Sequence, residues 1–248
     1  GFRNYSLSKS FIARILIGLL LFLFADSVIY MSEYVRKKFI LLSYKMTRIY
    51  YGIDNLFFEK TDNYIDIECL KLIFPAQFRL GKNQELLIRA FAKYCRENND
   101  SLSSLFLPGD GEFRERCNDL ASSLQVSNQV YFPGLLSLKE TKNLIEKCNI
   151  LVVSSSSETF GKAIIEGYVL GRCIITKRVG VAPDVLKEGI NGYFYANETE
   201  LTNILLNLSN DKDKIEKIGN TNFVNRRRFS WENSLNDYSS LLYKLISK

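Results

Sequence analysis

Two carboxylates, Glu158 and Glu166, stand eight residues apart with Thr159, Phe160, Gly161 and Lys162 among the residues between them. The apolar run Ile150-Leu151-Val152-Val153 reads as a buried strand, Ser154 to Ser157 as a turn, and the segment from Lys162 onward as an amphipathic helix. A helix start there leaves backbone N–H groups unpaired at about Thr159 to Lys162, and unpaired helix-start amides attract a diphosphate. Glu158 then falls in the turn and Glu166 about two turns into the helix, so that an acid lies on each side of the anion site. Each carboxylate can accept two hydrogen bonds from a vicinal diol. Together these groups could hold a nucleotide sugar. The plainer alternative makes Glu158 a loop acid near a helix start, where negative charge is favoured, and Glu166 one exposed helical charge.

Such residues need a scaffold, and the chain from Leu70 onward supplies a regular one. Short apolar runs alternate with helical patterns, which predicts an α/β domain with a doubly wound parallel sheet. Strands are expected over 71–77, 104–107, 129–132, 149–154, 173–176 and 192–195. Helices are expected over 83–97, 113–124, 138–146, 162–170, 182–188, 199–209 and 213–225, with a last one over 231–247 capped by Ser230. In such a sheet ligands sit beyond the carboxyl ends of the strands, where the loops carrying Lys82, Gly109-Asp110-Gly111, Gly134-Leu135, the serine run and Gly180 all fall. The polar stretch 59–66 is the candidate linker.

Composition removes several chemistries. Histidine is absent, so Ser-His or Cys-His nucleophiles and histidine metal sites are excluded from this chain. Five cysteines without a CxxC spacing read as reduced core thiols of a cytoplasmic protein. A net charge of +6 without a basic patch interleaved with aromatics suits a small anion or an acidic membrane surface and gives no signature of nucleic acid. Asp211-Lys212-Asp213 is a literal DxD, but it lies in a charge run between helices and reads as a solvated helix start; no metal is expected. Near the N-terminus, Arg3, Lys9 and Arg14 precede the eleven apolar residues 15–25, too few for the roughly 20 of a transmembrane helix. A secretory signal is the alternative there, although no A-x-A-like cleavage site follows. The expectation is a buried or membrane-facing helix followed by a strand at Ser27 to Met31.

Taken together, Glu158-x7-Glu166 with Phe160-Gly161 between, the loop ending in Lys82, Gly109-Asp110-Gly111, Tyr131-Phe132-Pro133-Gly134 and Asn191-Gly192-Tyr193-Phe194 resemble the C-terminal, donor-binding half of the GT-B glycosyltransferases, specifically the retaining family 4. The likeness runs from about Ala25 to Trp231. Ala25 to Tyr34 looks like the last strand of that family's N-terminal domain, and Gly52-Ile53-Asp54 like its interdomain hinge, with Tyr51 where asparagine is usual. The resemblance implies three parts. Residues 1–58 would be a remnant of a second Rossmann-like, acceptor-binding domain plus the hinge, 59–230 the nucleotide-sugar-binding Rossmann-like domain, and 231–248 a C-terminal helix. Most of the acceptor domain would then lie outside this chain.

Carried over by position, Glu166 would hold the donor ribose and Glu158 hydroxyls of the transferred sugar. Amides around Thr159, Phe160 and Gly161 would meet the phosphates together with Lys82. Gly134 and Leu135 join the nucleotide-binding set. The family's arginine partner of Lys82 is replaced by Gln77, which carries no charge; Arg79, two residues on, either turns inward to substitute or stays a solvated loop residue. The implied activity is retaining transfer of a sugar from a nucleoside diphosphate to a saccharide or lipid-linked acceptor in surface polysaccharide synthesis, without a cofactor. The apolar helix and Arg226-Arg227-Arg228 would permit peripheral contact with the inner face of the cytoplasmic membrane, the alternative being that the helix packs within the absent domain. The competing function is a truncated, catalytically silent nucleotide-sugar-binding or interaction module.

Overall fold

The computed structural model describes residues 11–37, 44–59 and 66–247. Arg3, Lys9 and residues 60–65 of the expected linker lie outside the described residues. Helix α1 (Phe11–Phe24) leads into strand β1 (Val28–Tyr30), the short helix α2 (Glu33–Arg36) and strand β2 (Met46–Arg48). β1 and β2 pair in parallel, Val28 opposite Met46 and Tyr30 opposite Arg48. The resemblance made the first of these the last strand of its domain; β2 follows it, in a Met-Thr-Arg segment too short and too polar to show alternation.

Six strands then form one parallel sheet: β3 (Lys71–Ile73), β4 (Ser104–Phe106), β5 (Val130–Tyr131), β6 (Ile150–Val153), β7 (Cys173–Thr176) and β8 (Tyr193–Phe194). Their spatial order is β5-β4-β3-β6-β7-β8, so the winding reverses between β3 and β6. A doubly wound sheet opens its ligand crevice at such a reversal. The helices are α3 (Gln84–Glu97), α4 (Arg114–Ser123), α5 (Leu138–Lys147), α6 (Lys162–Val169), α7 (Ala182–Val185), α8 (Glu198–Asn210), α9 (Lys212–Val224) and α10 (Trp231–Ile246). The helix expected over 182–188 stops at Val185 because Leu186 turns extended.

Every residue of β6 and β7 is buried, as continuous apolar runs covered by helices on both faces require. Each Ile, Leu or Val so removed from water contributes roughly 1.5–3 kcal/mol, which anchors the strand that feeds the serine turn. The five cysteines are free thiols, four of them buried. Burial pushes Cys148 and Cys173 up to about 12, so both stay neutral thiols.

Sequence-encoded caps fix the helix ends. Ser137 and Glu140 form a reciprocal capping box on α5, and Ser230 accepts from Asn233 N on α10 as expected. Asp211 of the DxD caps α9 by accepting from Lys214 N. The chain closes on its own N-terminal part: Ile53 N donates to Phe229 O at 2.8 Å and Ser234 Oγ to Tyr50 O at 2.8 Å, joining the Gly52-Ile53-Asp54 segment to the start of α10.

Candidate active site

Beyond Ile73 the chain runs on extended, and its amides keep pairing with the loop after β4: Phe74 N to Phe106 O, Ala76 N to Pro108 O and Phe78 N to Asp110 O. Gly109 N in turn donates to Gly134 O at 2.7 Å. The loops after β3, β4 and β5 thus form a continuous rim along the carboxyl edge of the sheet. Gly134 and Leu135 lie on this rim two strands from β3, about 10 Å away at normal strand spacing. Leu135 is 76% exposed.

On the other side of the reversal, the serine turn is bonded to the Lys82 loop. Ser156 N donates to Gly81 O at 2.8 Å, Ser154 Oγ to Lys82 O at 2.7 Å, and Asn83 Nδ2 to Ser154 O at 3.2 Å. The consequence is a direct ion pair across the crevice, with Lys82 Nζ 2.6 Å from Glu158 Oε1 and the two side chains only 16% and 17% exposed. Two residues 76 positions apart in sequence are thereby held in contact.

Gly161 precedes α6 in the left-handed region, φ 87° and ψ 59°, which no right-handed helix can include. The helix therefore opens at Lys162, and its first-turn amides begin there; those of Thr159 and Phe160 belong to the bend. For the same reason Glu166 is the fifth residue of α6, just over one turn in, rather than two. It is 6% exposed, so the alternative of an exposed helical charge does not hold. Burial pushes its carboxyl above the ordinary value, against the opposing pull of Lys162, whose ammonium lies 3.3 Å away one turn earlier.

The bend is fixed from several directions. Phe160 is 8% exposed, its ring lies edge-on to Tyr51, and its carbonyl accepts from Val181 N at 2.7 Å. Gly180 presses on the same peptide: a Cβ there would stand 2.3 Å from Phe160 O and 3.0 Å from Glu158 Cβ. Thr159 is exposed, but its carbonyl accepts from Ser32 Oγ at 2.8 Å. Sequence reading missed this last contact, which spans 127 residues, and left unused the i,i+4 spacing that signals the Lys162–Glu166 pair.

Gln77 and Arg79 lie on the exposed side of the loop, either side of the buried Phe78, as alternation predicts. Gln84 Nε2 donates to Gln77 O at 3.0 Å. Arg79 lines a cavity of about 340 Å³ between α3 and α4, together with Glu85, Arg89 and Arg116. The structure therefore brings Lys82, Glu158 and Glu166 around the opening of α6, and sets Arg79 against the α3–α4 side. Among the described residues no group of three His, Cys, Asp or Glu side chains could hold a metal ion.

This arrangement can bind a diphosphate between an ammonium and helix-start amides, with acids on either side for hydroxyls. A family model described as glycosyl transferases group 1 matches residues 59–223, more than half of the chain. The chain belongs to that family. Among its curated relatives is an uncharacterized glycosyltransferase of Methanocaldococcus jannaschii, 28% identical over 121 residues, which are 49% of this chain and 30% of the relative. Another is N-acetyl-alpha-D-glucosaminyl L-malate synthase of Bacillus anthracis, 26% identical over 180 residues, 71% of this chain and 45% of the relative. The matched chain thus spans less than half the length of either. Among solved structures, Anabaena HepE in complex with UDP and glucose superposes with a TM-score of 0.78 at 22% identity, covering 97% of this chain and 68% of HepE. That likeness shows the fold, which is GT-B.

Proposed function

We propose that this group 1 glycosyltransferase chain is the donor-binding half of a retaining enzyme that moves a sugar from a nucleoside diphosphate to a saccharide or lipid-linked acceptor in surface polysaccharide synthesis. The observation that carries this is the 2.6 Å contact of Lys82 with Glu158 at the winding reversal, beside the opening of α6. A diphosphate entering there meets the ammonium, while the released Glu158 carboxylate is free to accept hydrogen bonds from sugar hydroxyls. Glu166, already desolvated, accepts from the ribose diol.

Transfer breaks the bond from the anomeric carbon to the phosphate oxygen, and negative charge grows on the leaving diphosphate. Lys82 and the first amides of α6 are fixed positive charge and dipoles aimed at that charge, and their effect strengthens as water is excluded. The acceptor attacks from the face that the diphosphate leaves, and neither a metal nor another cofactor takes part. The B. anthracis relative, named for malate, adds a small hydroxy acid to the acceptor classes worth assaying.

The deciding experiment is a thermal-shift and calorimetric screen of the chain against UDP, GDP and ADP sugars. Stabilisation by one of them, lost in Lys82→Ala, supports the proposal, and no stabilisation by any of them sinks it. We also propose peripheral membrane contact through α1, whose Leu16, Leu19, Leu20, Leu23 and Phe24 are exposed. No described helix is long and apolar enough to cross a membrane. Deleting 11–24 should abolish binding to anionic phospholipid vesicles; unchanged binding removes the membrane role.

A further inference from the structure

Ser32 is fully buried and stands, in extended conformation, immediately before α2. A serine there ordinarily caps its own helix, yet this side chain makes no cap bond. Its hydroxyl donates instead to Thr159 O, 127 residues away, at 2.8 Å. The first amide of α2 is taken by a distant group as well: Glu33 N donates to Asp184 Oδ2 of α7 at 2.8 Å. Tyr34 completes the set, its hydroxyl 3.1 Å from Ser157 Oγ.

Three consecutive residues thus grip the bend on both sides of Glu158, at Ser157 and at Thr159, and fasten α7 beside it. The neighbouring peptides are held by other elements, Ser156 N by Gly81 O and Phe160 O by Val181 N. The Thr159 peptide, next to the carboxylate, depends on Ser32. The hydroxyl diverted from a local cap to a distant carbonyl leaves α2 held by Asp184 at Glu33 N and by Ser32 O at Val35 N, and it adds a fixed point where Glu158 leaves the backbone.

We infer that Ser32 is a positioning residue for Glu158: it sets the direction of the carboxylate that meets the transferred sugar, without touching substrate itself. This rests on the proposed role of Glu158. It also separates two halves of the donor, since the nucleotide is held by Lys82, Glu166 and the α6 amides while the sugar depends on Glu158.

The test compares Ser32→Ala with Ser32→Thr, which keeps a hydroxyl, using UDP, GDP and ADP and their glucose conjugates as probes. Ser32→Ala should weaken the nucleotide sugar about five- to tenfold, the loss expected of one buried hydrogen bond, and the free nucleotide less than about twofold; Ser32→Thr should restore both values. Hydrogen exchange at amides 158–161 should rise about tenfold in Ser32→Ala and return in Ser32→Thr, with α6 unaffected. Equal losses for nucleotide and nucleotide sugar, unchanged exchange at 158–161, or failure of the threonine to rescue would each overturn the inference. If the unmodified chain binds none of the probes, the donor-site proposal fails on its own account, and the exchange measurement still decides whether Ser32 holds the bend.

Discussion

The Nζ of Lys82 lies 2.6 Å from Oε1 of Glu158, although one follows β3 and the other β6, on opposite sides of the point where the strand order reverses. Such a contact serves two purposes at once. It ties the two loops together when no anion is bound, and it keeps a half-buried ammonium neutralised until a diphosphate competes for it. Two opposite charges with little water around them hold tightly, and a donor must bring more negative charge than one carboxylate to displace the pair.

Lys82→Ala should therefore damage catalysis more than folding. Removing one fixed positive group from a site that stabilises a leaving diphosphate costs about 3–4 kcal/mol of transition-state stabilisation, so kcat of the intact enzyme should fall by about 10²–10³. Lys82→Arg, which keeps the charge, should recover part of the loss. Steady-state kinetics on purified variants give the answer, and a fall of less than about threefold removes Lys82 from the transition state.

Glu166 gives a pH signature. Its folded carboxyl titrates above the ordinary value of 4.5 because burial disfavours the ion. The stability it contributes is therefore fully present below pH 4.5, where it is protonated folded or unfolded, and is lost as pH rises through the folded value. Glu166→Gln removes the ionisation, so its melting temperature should exceed that of the unmodified chain by a margin that grows as pH rises from 4 toward 7. The same variant should bind the nucleotide more weakly, having lost the anionic acceptor for the ribose. A margin that shrinks with rising pH would contradict the desolvated carboxylate.

Much of this was legible in the residues. Apolar runs such as Ile150–Val153 and Cys173-Ile174-Ile175 announced buried parallel strands, and Ser230 announced the start of α10, because these signals are local. That Lys82 and Glu158 share one site came from the family resemblance; their direct pairing depends on the strand order, which the residues alone did not set. The opening of α6 at Lys162 was legible, but the place of the Thr159 and Phe160 amides in the bend was not, because it depends on the φ of Gly161, which composition does not reveal. The roles of Ser32 and Asp184 were hidden for another reason: a serine before a helix looks like a cap, and the contact that replaces the cap bond spans 127 residues. β2 is set by pairing with β1 and carries no pattern of its own.

Gly180 and Gly134 separate strain from contact. Both have positive φ, +53° and +81°, so an alanine at either pays roughly 1–2 kcal/mol for the left-handed backbone. At Gly134 nothing lies within 4 Å of the added Cβ, whereas at Gly180 it would press on Phe160 O at 2.3 Å and on Glu158 Cβ at 3.0 Å. Gly134→Ala should cost about 1–2 kcal/mol in denaturant melts and leave nucleotide-sugar binding within about threefold. Gly180→Ala should cost at least about 1 kcal/mol more and weaken the donor tenfold or more, since it displaces the peptide behind Glu158. Equal effects at the two positions would mean that the bend tolerates displacement.

Arg79 supplies the last discrimination, because its charge and its place in the Lys82 loop make it a natural substitute for the missing arginine at Gln77. Arg79 lines the cavity between α3 and α4, where Glu85 already pairs with Arg89 at 3.1 Å and with Arg116 at 2.5 Å. A solvated charge on that side of the loop is screened from an anion at the opening of α6, while Lys82 is in contact with Glu158 itself. Arg79→Ala should therefore change the affinity for the bound nucleotide by less than about twofold, against a loss of about tenfold or more in Lys82→Ala. Calorimetric titration of both variants with the same nucleotide decides between the two placements. Comparable losses would mean that Arg79 swings across the loop to the diphosphate, and the site would then hold two cations rather than one.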